Sequence, residues 1–126
     1  MLAIALTAPL VNLVLKPLFP RARPALRPVP AVRRLARQPA SSSFPSSHAA
    51  SALAFAVGVS TEQPALALPV GTLAGAVAYS RVYVGVHYPS DVLAGAAIGG
   101  GIALMTRAVR ADFALAPGAR SGGSSL

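Results

Sequence analysis

The chain has 126 residues, of which 54% are hydrophobic and 11% charged, and its formal net charge is +8. This length allows one domain at most, and the composition favours close-packed membrane helices over a water-soluble core. Because cysteine is absent, disulfides and thiolate metal sites are excluded. Most basic residues fall between Lys16 and Arg37 and aromatic residues are few. We therefore expect anionic lipid or phosphate as the partner and no nucleic acid.

The first apolar run extends from Met1 to Leu15 and is interrupted only by Thr7 and Asn12. It lacks the basic start and the cleavage site of a signal peptide, so we expect it to be retained. It is short of the roughly 20 residues that cross a bilayer. Either it continues through Lys16-Pro17-Leu18-Phe19, or its true start lies upstream of this chain. The following segment, Pro20 to Ser43, is rich in proline, arginine and serine, which predicts an irregular loop at the membrane surface.

Three further apolar runs follow, at Ala49–Val59, Pro64–Tyr79 and Val92–Met105. The sequence therefore predicts an all-α, multi-pass transmembrane bundle of about four helices. We expect residues 1–110 to form one core and residues 111–126 to be a disordered tail, which is Gly/Ser-rich from Pro117 to Leu126. Two glycine pairs at GxxxG spacing, Gly71 with Gly75 and Gly95 with Gly99, predict close approach of helix backbones. They leave a helix-mediated homo-oligomer possible.

The stretch from Ser80 to Asp91 separates two of these runs and is unusually polar. Pro89 and Ser90 indicate a helix start, since proline is tolerated in a first turn. His87 and Asp91, four residues apart, can then meet, and the carboxylate can fix the imidazole tautomer. Arg81 can reach the same place and bind an anion. The alternative interpretation is a structural histidine with an ion pair at the edge of a loop.

The predicted topology brings other polar residues to the same membrane face, because each helix crosses once. Lys16 and Arg23 lie after the first helix, and His48 lies at the start of the second. Taken alone, Lys16 and Arg23 are also explained as cations at the membrane edge. Similarly, Pro45-Ser46-Ser47-His48 is explained either as a helix N-cap or as an anion cradle formed by free amides.

These residues form three spaced blocks: Lys16 with Arg23-Pro24, then Pro45-Ser46-Ser47-His48, then Ser80-Arg81 with His87 and Asp91. In order and spacing the chain resembles the type 2 phosphatidic acid phosphatase (PAP2) superfamily, with its K-x6-RP, PSGH and SR-x5-H-x3-D blocks. Ser47 is the one departure, since the family has glycine there. Membrane members of the family typically have six helices. We therefore expect this chain, with four, to lack the two N-terminal helices.

The resemblance implies hydrolysis of a phosphomonoester or diphosphate through a covalent phosphohistidine. His87 is then the nucleophile, Asp91 orients it, and His48 is the general acid and later the general base. A further set of residues is expected to bind the phosphoryl oxygens: Lys16, Arg23, Arg81, Ser46, and Ser47 and His48 through their amides. With three acidic residues and no cysteine in the chain, we expect no metal and no cofactor. The expected substrate is an anionic phospholipid or polyprenyl phosphate.

Two other functions remain open at this stage. A non-catalytic protein could bind anionic lipid through Arg27, Arg33, Arg34 and Arg37, although that does not explain the spacing of His87 and Asp91. A vanadate-dependent haloperoxidase shares the site residues, but such enzymes are generally soluble, and the apolar runs argue against one.

The resemblance also bears on location, since bacterial proteins with these blocks resemble enzymes of the plasma membrane that recycle lipid carriers on its outer face. A positive-inside count, with Arg21 and its neighbours on the loop that carries the site, favours the cytoplasm instead. Arginines that bind phosphate are poor topology markers, so we predict a site that faces outward.

Overall fold

A computed structural model describes residues 2–25, 30, 37 and 39–115. The first helix is α-helical at α1 (Leu2–Pro9), π-helical at Leu10–Leu15, and α-helical again at α2 (Lys16–Leu18). The first helix therefore continues past Leu15 to Leu18. This agrees with the interpretation that the apolar run extends through Lys16-Pro17-Leu18. The π-helical part lies between Pro9 and Pro17, neither of which has an N–H to donate to an i−4 carbonyl. The change in bonding pattern follows from those two prolines.

Three longer helices complete the described architecture: α3 (Ser47–Glu62), α4 (Ala67–Tyr83) and α5 (Pro89–Leu115), with a 3₁₀ turn at Pro64–Leu66 before α4. Each begins within a few residues of its predicted position. Helix α3 starts after Ser46, whose side chain caps it, and α5 starts at Pro89, as the sequence indicated. Helix α5 runs five residues past the predicted core boundary at 110. The rest of the predicted tail, 116–126, lies outside the described residues.

The described part of the chain contains helices and no strand, which confirms the all-α prediction. Two helical segments are long and apolar enough to cross a membrane, Pro64–Tyr83 and Pro89–Leu115. The first helix, Leu2–Leu18, and α3 are shorter. A helix rises about 1.5 Å per residue, so these two span less of a hydrocarbon layer than α5 does.

Helix α3 is the centre of the bundle and packs against α5, α4 and α1. Helices α3 and α5 approach so closely that a Cβ on Gly95 would collide with the backbone of Ser46, and one on Gly99 with the backbone of Ala50. The predicted role of this glycine pair is confirmed. At the other pair, Gly71 and Gly75 on α4, a Cβ would meet no neighbouring atom within 4 Å. A homo-oligomer through that pair stays a prediction.

The bundle buries small residues and exposes large ones. Its central cluster consists of Ala3, Ala54 and Ala103, with Ile4, Val57 and Ile102 packed around them. Large apolar side chains point outward instead, including Leu68 at 80% exposure and Leu93 at 71%. Small residues let helix backbones pack closely, and lipid tails cover outward-facing leucines at no cost. This distribution of side chains is the one that a membrane protein requires.

The glycine contacts predict a contrast between the two pairs. Gly99→Ala should lower the free energy of unfolding by about 1–3 kcal/mol, because α3 must move away from the new methyl group. Gly75→Ala is the matched control, and it should leave stability unchanged or slightly raised, since alanine is the better helix former. Thermal unfolding in detergent measures both. Equal losses at Gly99 and Gly75 would contradict the α3–α5 packing.

Candidate active site

The ends of four helices meet around one cavity of about 220 Å³. Lys16 comes from the first helix, His48 from α3, Arg81 from α4, and His87 from the turn before α5. Arg23, on the loop after the first helix, completes the charged lining. The structure therefore brings these residues together at one end of the bundle, as the alternating direction of the helices predicted.

Three cations of the cavity are not neutralised by a carboxylate. Lys16 Nζ donates to Ser41 Oγ at 3.2 Å, and Arg23 donates to the Ser41 carbonyl at 3.0 Å and to the Val86 carbonyl at 2.8 Å. Arg81 Nε donates to Ser80 Oγ at 3.2 Å. Among the described residues, which include every acidic side chain of the sequence, none of these cations has a carboxylate within 4.0 Å. The cavity is therefore strongly positive and suited to an anion.

His87 is buried, and its ring is held by the backbone of the loop before α3. The Ser43 carbonyl lies 2.7 Å from Nδ1. A carbonyl only accepts hydrogen bonds, so Nδ1 carries the proton and Nε2 keeps a free lone pair. Burial, and after it the charge of Arg23, lowers the pKa of His87 from 6.5 to about 4. The imidazole is therefore neutral at physiological pH, as a nucleophile must be.

The relation of His87 to Asp91 differs from the sequence-based expectation. The nearest carboxylate oxygen of Asp91 lies 3.7 Å from Nδ1, which is too long for a hydrogen bond. That oxygen, Oδ2, accepts the Tyr88 N–H at 2.8 Å instead, as an acidic residue in the first turn does when it caps a helix. The hydrogen bond that fixes the tautomer therefore comes from Ser43, while Asp91 adds its charge from behind the ring.

A tight turn delivers His87 to the cavity at the end of α4. The Arg81 carbonyl accepts N–H bonds from Val86 at 3.3 Å and from His87 at 3.2 Å. Gly85 has a φ of 74°, a left-handed conformation that glycine adopts without strain. The turn reverses the chain within a few residues, so Arg81 and His87 line the same cavity.

The N-terminus of α3 supplies two of the three residues predicted from its block. Ser47 and His48 line the cavity. Ser46 does not, because its side chain is buried and accepts the Ala49 N–H at 3.4 Å as the N-cap of α3. Its own N–H donates to the Asp91 carbonyl at 3.0 Å. A direct contact of Ser46 with phosphate stays a prediction.

Sequence reasoning missed four residues of this region: Asn12, Ser41, Ser43 and Arg21. Asn12 and Ser41 line the cavity, Ser43 acts through its carbonyl, and Arg21 binds Asp91. Asn12 had a usable signal, because it is a polar residue in an apolar run and lies four residues, about one helical turn, before Lys16. The backbone role of Ser43 has no sequence signal.

Comparison with known proteins agrees with this geometry. Residues 1–114 match the model of the PAP2 superfamily. The chain belongs to that family. Among solved structures it resembles the transmembrane PAP2-type phosphatidylglycerolphosphate phosphatase of Bacillus subtilis, with a TM-score of 0.65 and 28% identity. That match covers 92% of this chain and 58% of the other, and it supports the prediction of a membrane helical bundle.

Two curated relatives are similar in sequence. The decaprenylphosphoryl-5-phosphoribose phosphatase of Mycobacterium tuberculosis is 41% identical over 97 residues, which cover 75% of this chain and 51% of the relative. The lipid A 1-phosphatase of Rhizobium etli is 40% identical over 79 residues, or 60% of this chain and 34% of the relative. The chain thus spans about half the length, or less, of the curated relatives it matches.

The buried His87 predicts an unusual titration. The chain has two histidines, so His48→Ala leaves His87 as the sole imidazole. Its NMR signals should show a neutral ring down to roughly pH 5, with a midpoint near the pKa of about 4. Because the unfolded chain binds this proton more tightly, stability should fall as pH drops from 6.5 towards 4. The same variant in denaturant is the control and should titrate near 6.5; a folded midpoint near 6.5 would contradict the burial of His87.

Proposed function

We propose that this protein is a membrane-embedded phosphatase that hydrolyses a lipid phosphate or diphosphate through a phosphohistidine. The observation that carries the proposal is the pairing of a neutral, buried His87 with three uncompensated cations around one cavity. Membership of the PAP2 superfamily and the phosphatase names of its relatives support the same reaction.

In the first step, the Nε2 lone pair of His87 attacks phosphorus, and the bond from phosphorus to the leaving oxygen breaks. His48, as the general acid, gives a proton to that oxygen, which departs as an alcohol or a lipid phosphate. The Nδ1–H bond to Ser43 and the charge of Asp91 stabilise the positive charge that develops on the ring of His87.

In the second step, water attacks the phosphohistidine. His48 now takes a proton from the water, the P–N bond breaks, and inorganic phosphate leaves with His87 neutral again. Lys16, Arg23 and Arg81 offset the charge on the equatorial oxygens in both steps, since they have no carboxylate partner of their own. Among the described residues no three His, Asp or Glu side chains form a group that could hold a metal ion. The proposed chemistry uses side chains alone.

The position of the cavity supports a lipid substrate. It opens at the ends of helices whose outer surfaces carry exposed leucines, so a phosphorylated head group can enter while its chain stays in the bilayer. The relatives are named for a decaprenylphosphoryl compound, lipid A and phosphatidylglycerolphosphate. We propose a substrate of the class that these names share, a lipid phosphate, with polyprenyl diphosphate and phosphatidate as the first candidates.

The division of roles predicts different outcomes for the two histidines. His87→Ala should release no phosphate above the uncatalysed rate, because the nucleophile is missing. His48→Ala should release phosphate more slowly, by at least about 100-fold, while a phosphoenzyme accumulates. Release of inorganic phosphate from a panel of lipid phosphates in chelator measures turnover, and rapid quenching with a radiolabelled substrate measures the intermediate.

The controls separate this proposal from its alternatives. The label should be lost in acid, survive alkali, and map to His87. The assignment would be overturned if the label mapped to His48. It would also be overturned if no labelled phosphoenzyme formed in any variant that releases phosphate. Halide oxidation after addition of vanadate would support a haloperoxidase instead.

Of the arginines that a non-catalytic lipid-binding protein would use, Arg27, Arg33 and Arg34 lie outside the described residues, and Arg37 is exposed.

We also propose that the site faces outward from the plasma membrane. Cysteine labelling at exposed positions outside the three blocks can test this orientation. Ala40 is exposed beside the site loop, and Gln63 is exposed at the far end of α3. In intact cells, an impermeant maleimide should label Ala40→Cys and not Gln63→Cys, since the chain has no cysteine of its own. Labelling after permeabilisation is the control for reactivity. The reverse pattern would place the site in the cytoplasm.

A further inference from the structure

Arg21 is one of the six unspecified positions between Lys16 and Arg23 in the first block, yet it makes the shortest ion pair of the described structure. Its Nη1 lies 2.7 Å from Asp91 Oδ1 and donates to Ser90 Oγ at 2.8 Å. Its guanidinium carbon lies 4.4 Å from the centre of the Tyr88 ring, a cation–π contact. The side chain of Arg21 is 42% exposed, whereas that of Asp91 is fully buried. Arg21 therefore covers the carboxylate from the solvent side.

Asp91 joins the blocks that form the site. Its carbonyl accepts the N–H of Ser46, at the head of α3, and its Oδ2 accepts the N–H of Tyr88, next to His87. A buried carboxylate without a cation is strongly destabilising, so its position depends on a partner. Arg21 is that partner, since its Nη1 lies 2.7 Å from Oδ1, whereas Nη1 of Arg23 donates to the Val86 carbonyl.

The pairing of Arg21 with Asp91 also determines which cations are available to bind the substrate. Arg21 pairs with Asp91, the only carboxylate near the cavity among the described residues, so no carboxylate pairs with Lys16, Arg23 or Arg81. Arg21 itself does not line the cavity. It contacts Tyr88, Ser90 and Asp91, which follow His87 in the chain and do not line the cavity either.

We propose that Arg21 is a positioning residue: it holds the Asp91 carboxylate behind His87 and so sets the geometry of the nucleophile without touching the phosphoryl group. The inference rests on the proposed phosphatase function. It separates two arginines only two residues apart, since Arg23 faces the cavity as a phosphate ligand and Arg21 acts through Asp91.

Kinetics separate these two roles. Arg21→Ala should lower kcat by about 10- to 100-fold, because a small misplacement of a reacting group costs that much, while KM stays within about 3-fold. Arg23→Ala is the matched comparison, and it should raise KM and weaken vanadate binding by about 10-fold or more. Titrating the sites with vanadate normalises for misfolded protein. Arg21→Lys restores the charge without the planar stacking on Tyr88 and should recover part of kcat.

A double-mutant cycle tests the route through Asp91. If Arg21 acts through that carboxylate, Arg21→Ala added to Asp91→Asn should cost less than about 3-fold further in kcat. Additive losses would overturn the proposal, as would an Arg21→Ala variant that raises KM like Arg23→Ala or keeps full kcat.

A readout without turnover keeps this inference distinct from the phosphatase proposal. In the His48→Ala background, Arg21→Ala should move the titration midpoint of the sole remaining histidine, His87, by at least about half a pH unit, since one charge near a buried group has an effect of this order. The same change in a background that also carries Asp91→Asn should move it by less. If no variant hydrolyses any lipid phosphate but this pattern holds, the phosphatase proposal fails and the positioning role stands; an unmoved midpoint overturns the role.

Discussion

The site depends on the close, parallel packing of α3 and α5. Gly95 lies against Ser46 and Gly99 against Ala50, so the two helices keep the same register over one turn. At their N-terminal ends this register places the Ser46 N–H on the Asp91 carbonyl at 3.0 Å. Without the two glycines the helices would separate. The loop before α3 would then no longer bring Ser43 to His87.

Charge balance is the second constraint on this end of the bundle. The chain has three acidic residues, and one of them, Asp91, lies at the site. Its two oxygens are used by Arg21 and by the N–H of Tyr88. The remaining cations around the cavity repel one another and need an anion, which a phosphoryl group supplies. A site with one carboxylate and an excess of cations is therefore stabilised by the ligand it is proposed to bind.

The rest of the chain adapts the bundle to a membrane. Alanines form the centre, leucines face outward, and α4 exposes most of its length. In water such a surface would aggregate, but lipid tails solvate it as well as they solvate each other. The charged residues that line the cavity lie at or near the ends of helices and on the loop after the first helix. The separation explains how a chain so poor in charge can hold a charged site.

The sequence by itself determined which residue types are present and which membrane face they share. The apolar runs and their parity placed Lys16, His48, Arg81 and His87 at one end, and Pro89 marked the start of α5. Only the tertiary structure decided the contacts within the site. The bond from His87 to the Ser43 carbonyl, the bond from the Ser46 N–H to the Asp91 carbonyl and the pairing of Arg21 with Asp91 join segments tens of residues apart. Backbone carbonyls are common to every residue, and several arginines could reach one carboxylate. Packing alone selects among them.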